Sequence, residues 1–146
     1  MDLLGYQESI ADRLDTNEAL RKGGCKAMAE DSLAIDSTLK KQMLTLKGIA
    51  LVVTTPTVNK IGASVPGWMP VELPDLTISC VEMPKLNRSR SGAITSLKAA
   101  QLVAALFDGP KCSFLTIQQS ADETTGAQSA SAIFRTTTML STSTPT

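Results

Sequence analysis

The spacing of apolar residues predicts two helices in the first third of the chain. One helical face is formed by residues three or four positions apart, namely Leu3, Tyr6, Ile10 and Leu14. Polar residues, Gln7 among them, fill the other sides, and the glycine pair at 23–24 ends this region. A second helix is predicted from Ser37, a suitable N-cap, to about residue 47. Residues 25–36 follow no single period and support no assignment.

Five short runs have the pattern of β-strands. They span residues 49–54, 57–61, 76–80, 113–119 and 129–138. The first run does not alternate, which predicts a central strand covered on both faces. The third run alternates apolar and polar residues, which predicts one solvated face. Its phase shifts at residues 81–83, which indicates a bulge or twist before Pro84 ends the pairing.

A third helix is predicted over residues 97–107. Thr95 or Ser96 supplies its N-cap, and a Gly-Pro pair at 109–110 follows its end. The segment is rich in alanine and apolar on most sides, which predicts a helix lying flat on a sheet or in an interface. Two loops complete the pattern: residues 62–75 are rich in glycine and proline, and residues 85–92 are polar and basic.

These elements predict an α+β fold, in which helices pack on a mixed, largely antiparallel sheet. The 146 residues suit a single domain, taken as residues 1–140, and the small polar residues 141–146 predict a disordered tail. Aromatic residues make up only 3% of the chain, so the core is predicted to be mainly aliphatic. Few large core residues favour further burial through assembly.

Charge and targeting features narrow the function classes. The net charge is zero, which provides no general attraction to nucleic acid or to an anionic membrane. The acidic start lacks the basic and apolar regions of a signal peptide, and no apolar run is long enough to span a bilayer. We therefore expect a cytosolic protein with reduced cysteines.

Candidate chemistry is sparse. The chain has no histidine, which excludes Ser-His-Asp and Cys-His catalysis within one chain and any imidazole metal site. The three cysteines, Cys25, Cys80 and Cys112, are widely spaced, and Cys80 and Cys112 are predicted to be core thiols. Ser37-x-x-Lys40 and Thr95-x-x-Lys98 match or resemble the pattern of serine-lysine acyl enzymes, but the partner motifs are missing, so helix capping is favoured. We expect no enzyme activity, no cofactor and no metal.

Two features remain as candidate partner contacts. Trp68 lies in the Gly- and Pro-rich loop, where it either anchors a contact or packs back over the edge of the core. The second loop supplies four more candidate residues: Lys85, Asn87, Arg88 and Arg90. No acidic residue lies between Glu82 and Asp108, so this loop could meet a phosphate backbone or an acidic protein surface. A loop that is only solvated is the alternative.

Three segments occur in an informative order. A helix leads into KGIALVVTTP at 47–56, LPDLTISCVEMP at 73–84 leads into Asn87-Arg88-Ser89, and the alanine-rich helix precedes a hairpin ending in IFRT at 133–136. Across roughly residues 38–138, this order resembles the tail terminator, or tail-completion, proteins of long-tailed, siphovirus-like bacteriophages. The resemblance rests on the order and character of the segments.

The resemblance implies a subunit of a six-membered ring that caps the head-proximal end of the tail tube, stops tube polymerisation and joins the tail to the head. The implied partners are other copies of the chain, the major tail tube protein and the head-tail connector protein. DNA would pass through the ring lumen without sequence-specific binding, and no membrane or cofactor is involved. The protein would reside in the virion, and in the host cytoplasm during assembly. The resemblance does not map contacts residue by residue. From exposure and loop chemistry, we expect sheet edges and the helix at 97–107 to form the subunit contacts, and the loops at 62–75 and 85–92 to meet neighbours above or below the ring.

Other interpretations stay open from the sequence. A neck or connector protein of the same particle would differ by remaining with DNA-filled heads when tails are absent. A small bacterial ligand-binding or regulatory domain would need a concave pocket. An enzyme would have to work through Asp, Glu, Lys or Cys alone.

Overall fold

A computed structural model describes residues 2–29 and 47–142. Its elements in chain order are α1 (Leu3–Thr16), α2 (Glu18–Lys22), β1 (Cys25–Ala29), β2 (Ile49–Thr54), β3 (Asn59–Lys60), β4 (Trp68–Glu82), α3 (Pro84–Asn87), α4 (Ser96–Phe107), β5 (Cys112–Ala121) and β6 (Gln128–Ser141). Residues 37–46 of the predicted second helix lie outside the described residues, as do residues 143–146 of the predicted tail.

The strands form one six-stranded sheet. Its order is β1-β2-β4-β6-β5, and β3 pairs with a separate part of β4. β1 and β2 are parallel, whereas every other neighbouring pair is antiparallel. The α+β class and the mixed, mostly antiparallel sheet are therefore confirmed. β1 lies in residues 25–36, where the local pattern supports no assignment, because pairing with β2 and not its own periodicity defines it.

Helices α1 and α4 pack against one face of the sheet, where the main core lies. Phe134 on β6 is fully buried at the centre of this core. Its ring meets Phe107 and Phe114 edge-on, with centroids 6.1 and 5.8 Å away. Three of the chain's five aromatic residues thus form a single cluster, and the rest of the core is aliphatic, as predicted.

β2 confirms the predicted central strand. β1 and β4 flank it, and its residues from Ile49 to Val53 are all buried. Leu51 belongs to the main core beneath the helices, whereas Val52 is buried on the opposite side of the strand. Burial on both sides explains why this run is apolar without alternation.

The helix ends follow the predicted capping chemistry. The Thr95 hydroxyl oxygen accepts a hydrogen bond from the backbone N–H of Lys98 at 3.1 Å, so this pair is a helix cap, the favoured interpretation. Helix α1 buries Ile10 and Leu14 as predicted. Gln7, predicted on the polar side, is also buried, and its Nε2 donates to the Thr55 hydroxyl 2.8 Å away beyond the end of β2.

The loop prediction for residues 62–75 is wrong from residue 68 onward. β4 starts at Trp68 and pairs with β6 through this segment. Both prolines are tolerated for local reasons. The Pro70 carbonyl accepts from the Ile61 N–H at 3.1 Å, a bond that does not need a proline N–H. Pro74 lies inside a register shift between Leu73 and Leu76, where regular pairing is interrupted.

The bulge predicted at residues 81–83 is instead at this register shift. From Leu76 onward the ladder to β6 runs without interruption to Glu82, which pairs with Gln128. The apparent change of phase arose because a charged residue stands at a core-facing position. Glu82 exposes only 1% of its surface and continues the buried series of Ile78 and Cys80. Strand β4 ends there, just before Pro84, as predicted.

Candidate interaction surfaces

The residues predicted to contact partners lie near opposite ends of β4. Trp68 is its first residue, whereas Lys85, Asn87, Arg88 and Arg90 all follow its last residue, Glu82. A strand of 15 residues spans about 45 Å at roughly 3.3 Å per residue. The structure therefore separates the predicted contact residues into two distant groups.

The second group is built around the buried carboxylate of Glu82. Arg88 donates to Glu82 Oε1 from Nη2 at 2.6 Å and from Nε at 3.1 Å, and the same Nη2 lies 3.1 Å from Gln128 Oε1. Asn87 Nδ2 donates to the other carboxylate oxygen, Oε2. Both oxygens of a carboxylate removed from water are thus hydrogen-bonded, one of them by its charge partner.

Asn87 and Arg90 extend this network to the start of β1. Asn87 is fully buried, and its Nδ2 also donates to the Ile94 carbonyl at 2.7 Å. Its Oδ1 accepts from Arg90 Nη2 at 2.6 Å, and the same nitrogen donates to the Gly23 carbonyl at 2.9 Å. Gly24 has a φ of 85°, and a Cβ there would overlap the guanidinium of Arg90. Glycine is therefore required by both backbone and packing.

This network is largely internal to the fold. Asn87 and Arg90 hold α3 and the following turn against the Gly23–Gly24 segment, and Arg88 serves Glu82 while remaining about half exposed. Lys85 is exposed, with no hydrogen bond or ion pair among the described residues. Among the basic candidates, Lys85 is the side chain most available to a partner.

Trp68 belongs to an extension of the sheet that we call the arm, residues 57–73 and 137–142. The arm forms because β4 is much longer than β2, whose pairing with β4 ends at Thr77. β6 also continues to Ser141, beyond the Thr136 position where its pairing with β5 ends. The arm therefore consists of β3, the start of β4 and the end of β6.

One face of the arm carries a cluster of apolar side chains. Residues directly opposite one another in an antiparallel pair share a face, as do residues two apart on one strand. By this rule Trp68 shares a face with Val65, its bridge partner, and with Pro70. Pro70 is opposite both Ile61 and Met139. We call these five residues the arm patch: Ile61, Val65, Trp68, Pro70 and Met139.

The arm patch is exposed and electrically neutral. Trp68 is 45% exposed, and Ile61, Val65 and Met139 are exposed to similar degrees. The only charged residue from position 57 to 71 is Lys60, whose partner Val71 is buried, so Lys60 stands on the opposite face. At the base of the arm, Glu72 and Arg135 form an ion pair at 3.2 Å. An exposed apolar cluster with a polar surround is typical of a protein-protein contact.

Backbone hydrogen bonds hold the arm in one conformation. Val65 and Trp68 bond to each other in both directions, at 3.0 and 3.1 Å, across a turn formed by Pro66 and Gly67. Proline followed by a glycine with φ of 84° suits a type II turn. At the base, the Asp75 carboxylate accepts from the backbone N–H and the hydroxyl of Thr57 at 3.0 and 2.9 Å. A surface ordered before binding loses less entropy on binding.

The remaining chemistry of the described residues is modest. Burial raises the pKa of the Cys25 thiol to about 11 and raises the pKa of the Cys80 and Cys112 thiols, so these thiols are held neutral at physiological pH. No group of three or more His, Cys, Asp or Glu side chains in the described segments could hold a metal ion. An open cleft of about 350 Å³ near the start of α4 has no ionisable side chain in its lining: Ser96, Gln119, Ser120, Ala121, Gln128 and Ser129. Within the same part of the chain, no helix is long and apolar enough to cross a membrane.

Sequence reasoning missed two parts of these surfaces. The role of Glu82 could have been found, because it continues the alternation of the preceding buried residues on β4. Met139 and Ile61 could not have been joined to Trp68, because their proximity depends on the register of three strands.

Comparisons with known proteins identify a solved structure with a similar fold. No protein-family model matches the chain, and no curated protein matches it in sequence. The structure is similar to one chain of a solved structure described as the virion of a native gene transfer agent particle. The match covers 92% of this chain and 96% of that chain, with a TM-score of 0.52 and 13% sequence identity. At this identity, the likeness shows a shared fold.

Proposed function

We propose that this protein is a structural component of a phage-like virion, and that its role within the particle is that of a tail terminator. The observation that carries the proposal is the fold shared with the gene transfer agent virion chain, which extends over nearly the whole of both chains. A non-enzymatic role follows from the proposal, because such a component acts through its shape and contacts. The protein would act in the virion, in contact with other virion proteins.

The finer role rests on the resemblance of the segment order to tail terminators. In this role, copies of the chain form a ring, six-membered by analogy, on the head-proximal end of the tail tube. One side of the ring meets the major tail tube protein and the other meets the head-tail connector protein, while DNA passes through the lumen. The neutral arm patch and the exposed Lys85 are the surfaces we assign to partner contacts.

Mass spectrometry of gradient-purified particles from the source tests the proposal. We expect the polypeptide in intact tailed particles at low copy, far below the main tube protein. Its absence from such particles would overturn the structural role. Its presence in DNA-filled heads that lack tails would identify a neck or connector protein and overturn the terminator role alone.

Loss of the chain from the producing strain gives a second readout. A terminator stops tube growth, so its deletion is expected to yield tails of uncontrolled length that fail to join heads, visible by electron microscopy. Normal tails that stay separate from heads would contradict a role in ending tube growth.

A further inference from the structure

The open cleft near the start of α4 lies between this helix and the end of the hairpin formed by β5 and β6. Its volume of about 350 Å³ is in the range of small-ligand sites. Gln119 and Gln128 are each opposite a core-facing residue of a neighbouring strand, so both side chains are on the face that carries α4. Ser120 and Ser129 pair with each other on the opposite face, so they border the cleft without directing their side chains towards α4. The polar side chains on the α4 side are therefore the two glutamines and Ser96.

Ser96 has a buried hydroxyl group without a partner. It is the first residue of α4, and it exposes only 5% of its surface. Its Oγ makes no hydrogen bond with any of the described residues, whereas the hydroxyl of the preceding Thr95 is engaged in capping the helix. A buried hydroxyl normally has a partner, because leaving it unbonded costs free energy. Ser96 lines the cleft, so a group bound there would supply the missing partner.

The backbone at the start of α4 adds two donors. The N–H of Lys98 is capped by Thr95, and the N–H of Ala99 donates to the Thr95 carbonyl at 2.9 Å. The N–H groups of Ser96 and Leu97 have no acceptor in the part of the chain that the structure describes. Free N–H groups and aligned peptide dipoles give the N-terminus of such a helix a partial positive charge of about half a unit. This end of the cleft therefore favours a negatively charged ligand.

The sheet side of the cleft supplies amide donors. Arg88 Nη2 lies 3.1 Å from Gln128 Oε1 and donates to it, so the amide nitrogen of Gln128 remains free to donate to a ligand. Gln119 is exposed and makes no hydrogen bond with the described residues, so its amide can turn its nitrogen towards the cleft. The cleft thus has a hydroxyl and two N–H groups on its helix side and two amides on its sheet side.

The charges around the cleft select the class of ligand. No lining side chain is ionisable, and strand β5 carries no charged residue. The Glu82 carboxylate is already paired with Arg88, and the carboxylate of Asp122 accepts from N–H groups of its own turn. Donors that carry no full positive charge suit a ligand with one negative charge spread over two acceptor oxygens. A phosphate dianion would be left largely without compensating charge.

We propose that this cleft binds a carboxylate group. One oxygen accepts from the Ser96 hydroxyl and the free N–H groups of α4, and the other accepts from the amide nitrogens of Gln119 and Gln128. The volume leaves room for the rest of a small carboxylic acid or for an acidic side chain of another protein, and the chemistry of recognition is the same for both. The site does not depend on the virion role, because it follows from unpartnered donors within one chain.

NMR titration of the isotope-labelled chain with sodium acetate tests the site, at pH 7 and at an ionic strength held constant with sodium chloride. We expect saturable shifts of the Ser96 and Leu97 N–H signals and of the Gln119 and Gln128 side-chain signals. The expected Kd is about 1–10 mM, because the ligand is so small. Acetamide has the same shape without the charge, and it should bind more weakly by about tenfold or more. Phosphate should also bind more weakly, and tighter binding of phosphate would overturn the choice of a carboxylate.

A matched pair of variants tests the position of the site. Gln119→Glu brings a negative charge into the cleft and is expected to abolish acetate binding. Gln118→Glu adds the same charge one residue away, on the opposite face of β5, and should leave the Kd within about threefold, because water screens it. Ser96→Ala removes the buried hydroxyl and should raise the Kd by about tenfold. Circular dichroism verifies that each variant is folded.

The outcomes that contradict the site are specific. The proposed site is wrong if acetate gives no saturable shift of these signals, or if Gln119→Glu binds acetate as tightly as Gln118→Glu does. A Ser96→Ala variant that is folded and binds acetate like the wild type would show that its hydroxyl is not part of the site. Neither result bears on the particle analysis, so this proposal and the virion role fail separately.

Two larger probes distinguish the source of the carboxylate. Succinate represents small free acids, and a tripeptide with a central glutamate and both ends blocked represents an acidic side chain of a protein. Binding of one probe that is tighter than that of acetate by about tenfold or more identifies the source. Equal affinity for all three probes shows that the cleft recognises the carboxylate alone, and each of these results supports the site.

Discussion

Removal of Arg88 tests the argument that the basic segment after β4 is mainly structural. In the Arg88→Ala variant, Glu82 remains buried and loses two hydrogen bonds from its charge partner. Removing one partner of a buried ion pair destabilises a protein by about 3–5 kcal/mol. The Arg88 side chain is 48% exposed, so water reaches the carboxylate in the variant and we expect a smaller loss, about 2–3 kcal/mol.

Urea unfolding followed by circular dichroism measures this loss directly. For a domain of this size it corresponds to a fall in Tm of about 5–10 °C. The control is Lys85→Ala, which alters an exposed side chain of the same charge in the same segment and is expected to change stability by less than about 0.5 kcal/mol.

A second substitution tests whether the unpaired charge of Glu82 causes this loss of stability. Glu82→Gln in the Arg88→Ala background removes the uncompensated charge, so the double variant should be more stable than the sum of the two single effects predicts, by about 1 kcal/mol or more. If Arg88→Ala unfolds like the wild type, or if the two effects are additive, the buried ion pair does not stabilise the fold as argued. The same reasoning makes Lys85→Glu, and not charge reversal at Arg88 and Arg90, the clean test of partner binding by this segment.

Three further predictions concern the fold. Phe134→Ala should lower the free energy of unfolding by about 3–5 kcal/mol in urea titrations, because it empties the centre of the aromatic cluster. Gly24→Ala should lower Tm by several degrees, since its φ is positive and the guanidinium of Arg90 fills the space, whereas Gly109→Ala, with nothing within 4 Å, should not. Alkylation of Cys25 at pH 8, followed by mass spectrometry, should be about a hundredfold slower in the native than in the unfolded chain, because burial raises its pKa from 9.0 to about 11. The corresponding stability is complete below pH 9 and is lost as the pH rises towards 11, so the free energy of unfolding measured in urea should fall over this range.

The local sequence pattern was sufficient to predict those helices and strands that depend on residues a few positions apart. Helix α1, helix α4 with its Thr95 cap, and strands β2, β5 and β6 were all predictable, because apolar periodicity and capping residues act over a few positions. The α+β class followed from the order of these elements. The terminator role is a prediction from resemblance and stays one until particles are analysed.

Local pattern misled where a distant partner changes what a residue type signifies. Proline at 70 and 74 normally indicates a loop, but a carbonyl-only bond and a register shift admit both into β4. Glutamate at 82 normally indicates a solvated position, yet Arg88 and Asn87 fold back to hydrogen-bond its carboxylate. The Pro70 exception depends on Ile61 before β4, the Pro74 exception on the register with β6, and the Glu82 exception on the chain reversal after β4.

The sequence by itself determined the helix faces, the central strand and the neutral character of both the arm and β5, because these depend on composition and on spacing along the chain. Only the tertiary structure decided which apolar side chains form one surface. Sheet register set Ile61, Pro70 and Met139 in a row across three strands, and it left Leu115 on a separate edge. Register is fixed by side-chain packing across the whole core, so no local segment of the sequence contains it.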